Sequence, residues 1–241
     1  KRRSLQSVLW GPDDLSIESL GSAVDFHSSR DYPGVGALML RQGQGDGQIC
    51  VHLHYGPHGG AHGHPAKLGV IVYALGQIIA PDPGRLAYAS PLHAGWYKTT
   101  LAHNTILADG NNQEPTQARL IAFEEKDGLS CAQAECATAY PDITLTRTLA
   151  VSSRYVLDVV TAESATSHTY DLAWHIQGEP GPDFETRPAE APGKSAGFQH
   201  LKDVSMARTD KTWSVDYRLG KSGGTRLTMM DAPQTQVYLA S

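Results

Sequence analysis

The 241-residue sequence has no uninterrupted apolar run approaching the ~18–20 residues that a helix needs to cross a bilayer, so no membrane partner is expected. Its start, Lys1-Arg2-Arg3-Ser4, leads into no apolar segment of the kind a secretory signal carries. That abrupt basic start is expected to be a cut within a longer protein, so the missing signal says little about compartment. Cysteine is scarce. Cys50, Cys131 and Cys136 are an odd set with no Cys-x-x-Cys pair, and a Cys131–Cys136 link is weighed against free buried thiols, with free thiols expected. Positive charge is also short: 20 Lys+Arg against 25 Asp+Glu give a formal charge of −5 without a basic block. Such a field does not favour nucleic acid. It leaves open a small cationic pocket for an acidic saccharide.

What the sequence has in quantity is turn residues. Its 24 glycines and 14 prolines punctuate many short runs rich in β-branched and aromatic residues, the pattern of an all-β sandwich with few helices. Strands are expected at 36–40, 49–54, 69–75 and 77–80, the last two forming a hairpin across Gly76. More follow at 104–108, 119–124, 132–140, 143–151, 155–162 and 168–177, in β-meander order. Residues 178–197, rich in Pro, Glu, Gly and Ala, read as a long exposed loop. Strands resume at 204–208, 212–218, 225–230 and 236–240. Residues 1–30 read as a connecting segment and 31–241 as one large antiparallel β-sandwich, with no internal repeat. The length alone fits one large or two small domains.

Histidine is concentrated in one place. Five of the eleven lie between His52 and His64, in Val51-His52-Leu53-His54-Tyr55-Gly56-Pro57-His58-Gly59-Gly60-Ala61-His62-Gly63-His64. Two readings stand, a solvated His-rich loop and a metal site. The glycines favour the second, because they let the backbone approach a ligand closely, and an extended His62-Gly63-His64 puts two imidazoles on one side. Further ligands are available in Asp82, within Ala80-Pro81-Asp82-Pro83-Gly84, and in His103, just before a strand. A turn aspartate followed by Pro-Gly is also a common structural device.

Taken together, His62-Gly63-His64-Pro65-x-Lys67-Leu68, Asp82-Pro83-Gly84, Tyr88, the run Trp96-Tyr97-Lys98-Thr99-Thr100-Leu101-Ala102-His103-Asn104-Thr105, Asp109-Gly110 and Gln113 resemble the heparinase II/III-like domain. That domain is shared with oligoalginate lyases and related polysaccharide lyases. The match is specific over about residues 55–113; later, Tyr170-Asp171-Leu172-Ala173-Trp174-His175 resembles a strand ending in an aromatic and a histidine. One departure is Ala66, where the family pattern usually has aspartate. If that aspartate orients a histidine, its absence would loosen the site.

The resemblance implies the C-terminal sandwich of a two-part enzyme, with an α/α-toroid upstream, a cleft between the two, and a periplasmic or secreted location. It implies a supporting metal, usually zinc, at His64, Asp82 and His103. His62 and Tyr88 match the positions that face the substrate from this side. The reaction implied is β-elimination on an acidic polysaccharide or oligosaccharide containing uronic acid, with the principal base and acid coming largely from the toroid. His62 suits the developing charge on the uronate carboxylate, against a null of a second metal ligand. Tyr88 suits a hydrogen bond to the saccharide or protonation of the leaving oxygen, against packing. Trp96 and Tyr97 could stack on sugar, and Lys67 and Arg85 could meet acidic groups, though each type also has an ordinary packing or surface role. Asn104 and Gln113 read as structural, and His52, His54 and His58 are left without an assigned role, solvent exposure on the strand leading into the loop being the simplest reading. The alternatives are a non-catalytic carbohydrate-binding or interdomain module and, least favoured, a zinc hydrolase, for which no His-Glu-x-x-His run exists.

Overall fold

In the computed structural model, residues 28–220, 223–230 and 233–241 are described. Residues 1–27 of the expected connecting segment lie outside them. Strands β1 (Arg30–Tyr32), β2 (Ala37–Gln42), β3 (Ile49–His54), β4 (Val70–Ala74) and β5 (Gln77–Ala80) pair antiparallel in chain order. The expected hairpin joins β4 to β5, with Leu75 and Gly76 both at positive φ, the backbone that a tight two-residue hairpin turn requires. After β6 (Ile106–Ala108), a second sheet is built from β7 (Arg119–Lys126), β8 (Leu129–Tyr140), β9 (Ile143–Val151) and β10 (Val156–Ser164), again antiparallel. Asp127-Gly128, both at positive φ, turn β7 into β8.

The two sheets bury their facing sides against each other. Leu38, Leu40, Val51 and Leu53 from the first meet Ala132, Ala134, Leu145 and Leu149 from the second in one continuous core. The period-2 alternation that places them there is plain in β9, whose Ile143, Leu145, Arg147, Leu149 and Val151 are buried while the intervening residues are half-buried. The result is the antiparallel sandwich that turn spacing and alternation predict.

Two expectations are corrected. Residues 168–177 form a strand only at β11 (Tyr170–Leu172), which pairs with β6. Beyond it the backbone stays tied without a regular ladder: the Ala173 N–H donates to Thr105 O, the His175 N–H to Asn104 Oδ1 and the Gln177 N–H to Ile79 O. Residues 178–197 are not all loop, because β12 (Glu179–Pro182) and β13 (Arg187–Pro188) lie within them. β14 (Ser205–Thr209), β15 (Trp213–Arg218), β16 (Gly224–Met229) and β17 (Thr235–Leu239) complete two small sheets, ordered β12-β15-β16 and β13-β14-β17. Each Pro-containing strand is at an edge, where a missing N–H leaves no gap in the ladder. These sheets share a separate apolar cluster around Trp213, Val215 and Val237. All three cysteines are free thiols, as expected.

One buried residue ties the sandwich to the loops above it. Arg147 is 1% exposed, yet every part of its guanidinium is used. Nε and Nη2 donate to the two carboxylate oxygens of Asp158 on β10 at 2.8 and 2.7 Å. Nη1 donates to the carbonyls of Leu68 and Asn104, both at 2.7 Å. The guanidinium carbon also lies 5.3 Å from the centre of the Trp174 ring. Asp158→Ala strands this cation in the core, and is expected to lower the unfolding free energy in urea by about 3–5 kcal/mol. A loss no larger than that of a surface pair, about 1 kcal/mol, would contradict the assignment.

Candidate metal centre and the cleft beside it

Residues 55–69 leave the first sheet at the end of β3 and return at the start of β4, and the two ends are zipped together. The Leu68 N–H donates to His54 O and the His54 N–H to Gly69 O. The excursion is then held from below. Gln113 is buried, its Oε1 accepting from the Lys67 N–H at 2.6 Å and its Nε2 donating to Lys67 O and Ile106 O. The Thr105 hydroxyl also donates to Lys67 O, and the Thr100 hydroxyl to Pro65 O. Leu68 sits at φ +59, a conformation that costs a non-glycine residue energy, and the Arg147 bond to its carbonyl helps to fix it. Within the loop, Gly63 passes so close to His58 that a Cβ there would lie 1.5 Å from the His58 carbonyl oxygen. Only glycine fits.

Three side chains converge above this frame. His64 comes from the loop, Asp82 from the turn after β5, and His103 from the end of a short 3-10 turn over Thr100–Ala102. His103 is buried, and its Nδ1–H donates to Thr99 O at 2.8 Å, which leaves Nε2 with a free lone pair. That nitrogen lies 3.1 Å from His64 Nδ1 and 3.5 Å from Asp82 Oδ2. The other Asp82 oxygen accepts the Gly84 N–H at 2.7 Å, which aims Oδ2 inward. Asn104 joins the elements that carry the three: its Nδ2 donates to Val70 O and Pro81 O, and its Oδ1 accepts from the His175 N–H.

These donors fit a divalent metal. Ligand atoms about 2.0–2.1 Å from a tetrahedral zinc ion lie roughly 3.3 Å apart from one another, close to the spacings found here. Burial pushes His103 down to about 4, only partly opposed by the Asp82 carboxylate, and burial lowers His64 as well. Both imidazoles are therefore neutral at neutral pH, which is the ligating form. Among the described residues this is the one cluster of three or more such groups within reach of a common ion.

Two recesses flank the cluster and share His62 and His64. The shallower, of about 290 Å³, contains His62, Arg85, Tyr88 and His93. Here the expected substrate-facing residues are brought together: Tyr88 Oη is 2.6 Å from His62 Nδ1, and Arg85 lies over the Tyr88 ring with its guanidinium carbon 5.3 Å from the centre. Tyr88 is 53% exposed, so this pair lies on an open face. Below it the chain makes a π-helical turn over His93–Tyr97, and His93 packs against Tyr88 with ring centres 4.6 Å apart. The larger recess, of about 410 Å³, is lined by His52, His54, His58, His64, Asp82 and His103 among others.

The remaining expectations divide. Asn104 and Gln113 are structural, as their residue types and turn positions indicate. Trp96 is a packing residue rather than an open sugar platform, since it is half-buried against the cluster of Leu101, Leu107 and Phe198 with His175 and His200 edge-on to its ring. Tyr97 beside it is half-buried and lines neither recess. Lys67 is corrected outright. It is fully buried, and its ammonium donates to His54 Nε2 at 2.7 Å and to Pro57 O at 3.3 Å, so it does not meet a polymer directly. His52, His54 and His58 are half-buried and line the larger recess. Ala66 lines that recess too, and its loop is held by Gln113, Thr105 and Thr100. Arg147 escaped the reading altogether, although an arginine in the inward phase of Ile143-x-Leu145-x-Arg147-x-Leu149 is a legible signal of a buried anchor.

Comparison with known proteins identifies the family and the fold. The family model described as "Heparinase II/III-like, C-terminal" matches residues 27–229. An alginate lyase of Stenotrophomonas maltophilia is 27% identical, the match covering 93% of this chain and 37% of that protein. An exo-oligoalginate lyase of Saccharophagus degradans is 26% identical, with 76% and 30% covered. The solved structure of heparan sulfate lyase HepC from Pedobacter heparinus superposes with a TM-score of 0.61 at 16% identity, over 91% of this chain and 36% of that one. That structural likeness establishes a shared fold. The chain spans only about a third of the length of the curated relatives it matches, 37% and 30% of the two named here.

The buried histidines carry a pH signature. His54 and His103 are both held down to about 4, chiefly by burial, whereas in the unfolded chain each titrates near 6.5. Between these values the unfolded state binds more protons, so stability is full above about pH 6.5 and falls as pH drops towards 4. For metal-free protein the expected slope is up to about 1.4 kcal/mol per pH unit for each histidine. Urea unfolding at pH 7 and pH 5 measures it, and equal stability at both would contradict the burial of these rings.

Proposed function

Because the chain belongs to the heparinase II/III-like C-terminal family, we propose that it is the β-sandwich part of a polysaccharide lyase that cleaves a uronic-acid-containing polysaccharide or oligosaccharide by β-elimination. We place the remainder of the active site on an upstream α/α-toroid of the same protein, and the protein in the periplasm or outside the cell. The observation that carries the reading is the exposed His62–Tyr88 pair, with Arg85 beside it, set directly against the His64, Asp82 and His103 cluster. The relatives named as alginate and oligoalginate lyases support an acidic substrate.

In the proposed reaction a base removes the proton at C5 of a uronate residue. The electron pair forms the C4–C5 double bond, the bond from C4 to the glycosidic oxygen breaks, and that oxygen takes up a proton. The slow part is the build-up of charge on the carboxylate, which preorganised donors stabilise. When the Tyr88 hydroxyl donates to His62 Nδ1, the ring proton of His62 is on Nε2 and is available to such a carboxylate. Arg85 adds positive charge on the same edge. Tyr88, exposed and bonded to His62, is placed to donate to the saccharide once His62 turns to the carboxylate. His64, Asp82 and His103 would hold a zinc or other divalent ion, which when bound fixes the loop carrying His62 and adds positive charge to the wall. Two neutral imidazoles and one inward-aimed carboxylate oxygen are the support for that assignment.

The test uses the full-length protein with alginate, heparin and heparan sulfate, followed by the ultraviolet absorbance of the unsaturated product. His62→Ala and Tyr88→Phe are each expected to lower the rate by roughly 10²–10⁴-fold while leaving the metal content unchanged. Absence of unsaturated product on every uronate polymer would overturn the lyase reading and favour a carbohydrate-binding module.

A further inference from the structure

The larger recess has a polar wall that the lyase reading leaves unused. Behind it is the ammonium of Lys67, fully buried. Burying such a charge costs several kcal/mol unless it is paired, and among the described residues no carboxylate pairs with it. Its partners are both neutral, His54 Nε2 and the Pro57 carbonyl. The one acidic group whose charge would act on it is the Cys136 thiol, and burial raises that thiol, so it stays protonated. A lone cation set directly behind two residues that line a cavity, His54 and Pro57, calls for an anion on their far side.

The histidines of the wall point the same way. An ammonium can only donate, so Lys67 fixes His54 with its ring proton on Nδ1, leaving that N–H as the ring's remaining donor in the recess. His58 lines the same recess, and its Nδ1 is buried with no hydrogen-bond partner, an arrangement that native proteins rarely leave unexplained. The one carboxylate lining the recess, Asp82, is engaged by the Gly84 N–H and turned to the metal cluster at the far end. A second cation is excluded here, because Lys67 already occupies the His54 nitrogen that would bind it. The volume of about 410 Å³ admits a ligand larger than water.

We propose that the recess between His54 and His58 is a binding site for a carboxylate, held by the two imidazoles with the buried Lys67 ammonium as the charge behind them. His62 and His64 line both recesses, but the residues proposed to hold the carboxylate, His54 and His58, line the larger one alone, and the site does not depend on the elimination chemistry. The carboxylate can come from a simple acid or from a uronate sugar.

The test is nuclear magnetic resonance of the protein with ring-¹⁵N-labelled histidine, titrated separately with sodium acetate and sodium glucuronate against sodium chloride at equal ionic strength. Saturable shifts of the His54 and His58 ring nitrogens are expected. Saturation with both salts assigns the site to the carboxylate itself, and saturation with glucuronate alone assigns it to the uronate. Lys67→Met is expected to weaken the affinity by about tenfold or more, since it removes the charge. Should that variant not fold, His58→Ala, which removes a loop side chain, must weaken binding likewise. Shifts no different from those in chloride, or saturable shifts confined to His62, would overturn the proposal. Neither outcome touches the ultraviolet assay, so failure here and failure of the lyase reading are separable.

Discussion

The structure depends on a single buried guanidinium. Arg147 stands in the core between two sheets where the alternation of β9 calls for leucine, and it binds both oxygens of Asp158 while capping the carbonyls of Leu68 and Asn104. A hydrophobic residue of similar volume would fill the space, and replacing buried ion pairs in this way is often neutral or stabilising. What it could not do is fix two loop carbonyls relative to the sandwich. Leu68 ends the loop that carries His62 and His64, and Asn104 follows His103. One side chain therefore sets the relative position of two of the three converging donors.

Asn104 extends that constraint to the third. Its amide reaches Pro81 O, one residue before Asp82, and Val70 O at the start of β4. The proposed metal-ligating set is thus framed in the protein itself: two neutral imidazoles close together, and a carboxylate locked by the Gly84 N–H. Preorganisation of this kind lowers what a ligand must spend on ordering its site. In the proposed enzyme the ion then acts as a post for one wall of a cleft, and His62, two residues before His64, does the contacting with Tyr88 on the open side.

Much of this was legible in the sequence, for physical reasons. Strict alternation in β3 and β9 and the turn pairs Leu75-Gly76 and Asp127-Gly128 leave little freedom in how those strands pair. His62-Gly63-His64, Asp82-Pro83-Gly84 and His103-Asn104 could be joined because their residue types have few competing uses in combination. The rest was not legible, because it depends on which way a side chain turns. Lys67 reads as a surface charge, yet its backbone is clamped by Gln113 and its stem is drawn inward. Trp96 reads equally as platform or packing until Phe198 and His200, a hundred residues away, close over it. The prolines of residues 178–197 signal loop, and only the edge positions of β12 and β13 reconcile them with a sheet.

The fold and family are thereby joined to a proposal about what the converging residues hold. The most direct measurement is an X-ray absorption spectrum of the zinc-loaded protein. Two imidazole nitrogens and a carboxylate oxygen about 2.0–2.1 Å from the ion, with the nitrogen count reduced in His103→Ala, are predicted. A sulfur-containing or all-water shell, or one unchanged by His103→Ala, would contradict the assignment of His64, Asp82 and His103 as the post on which this wall of the cleft is built.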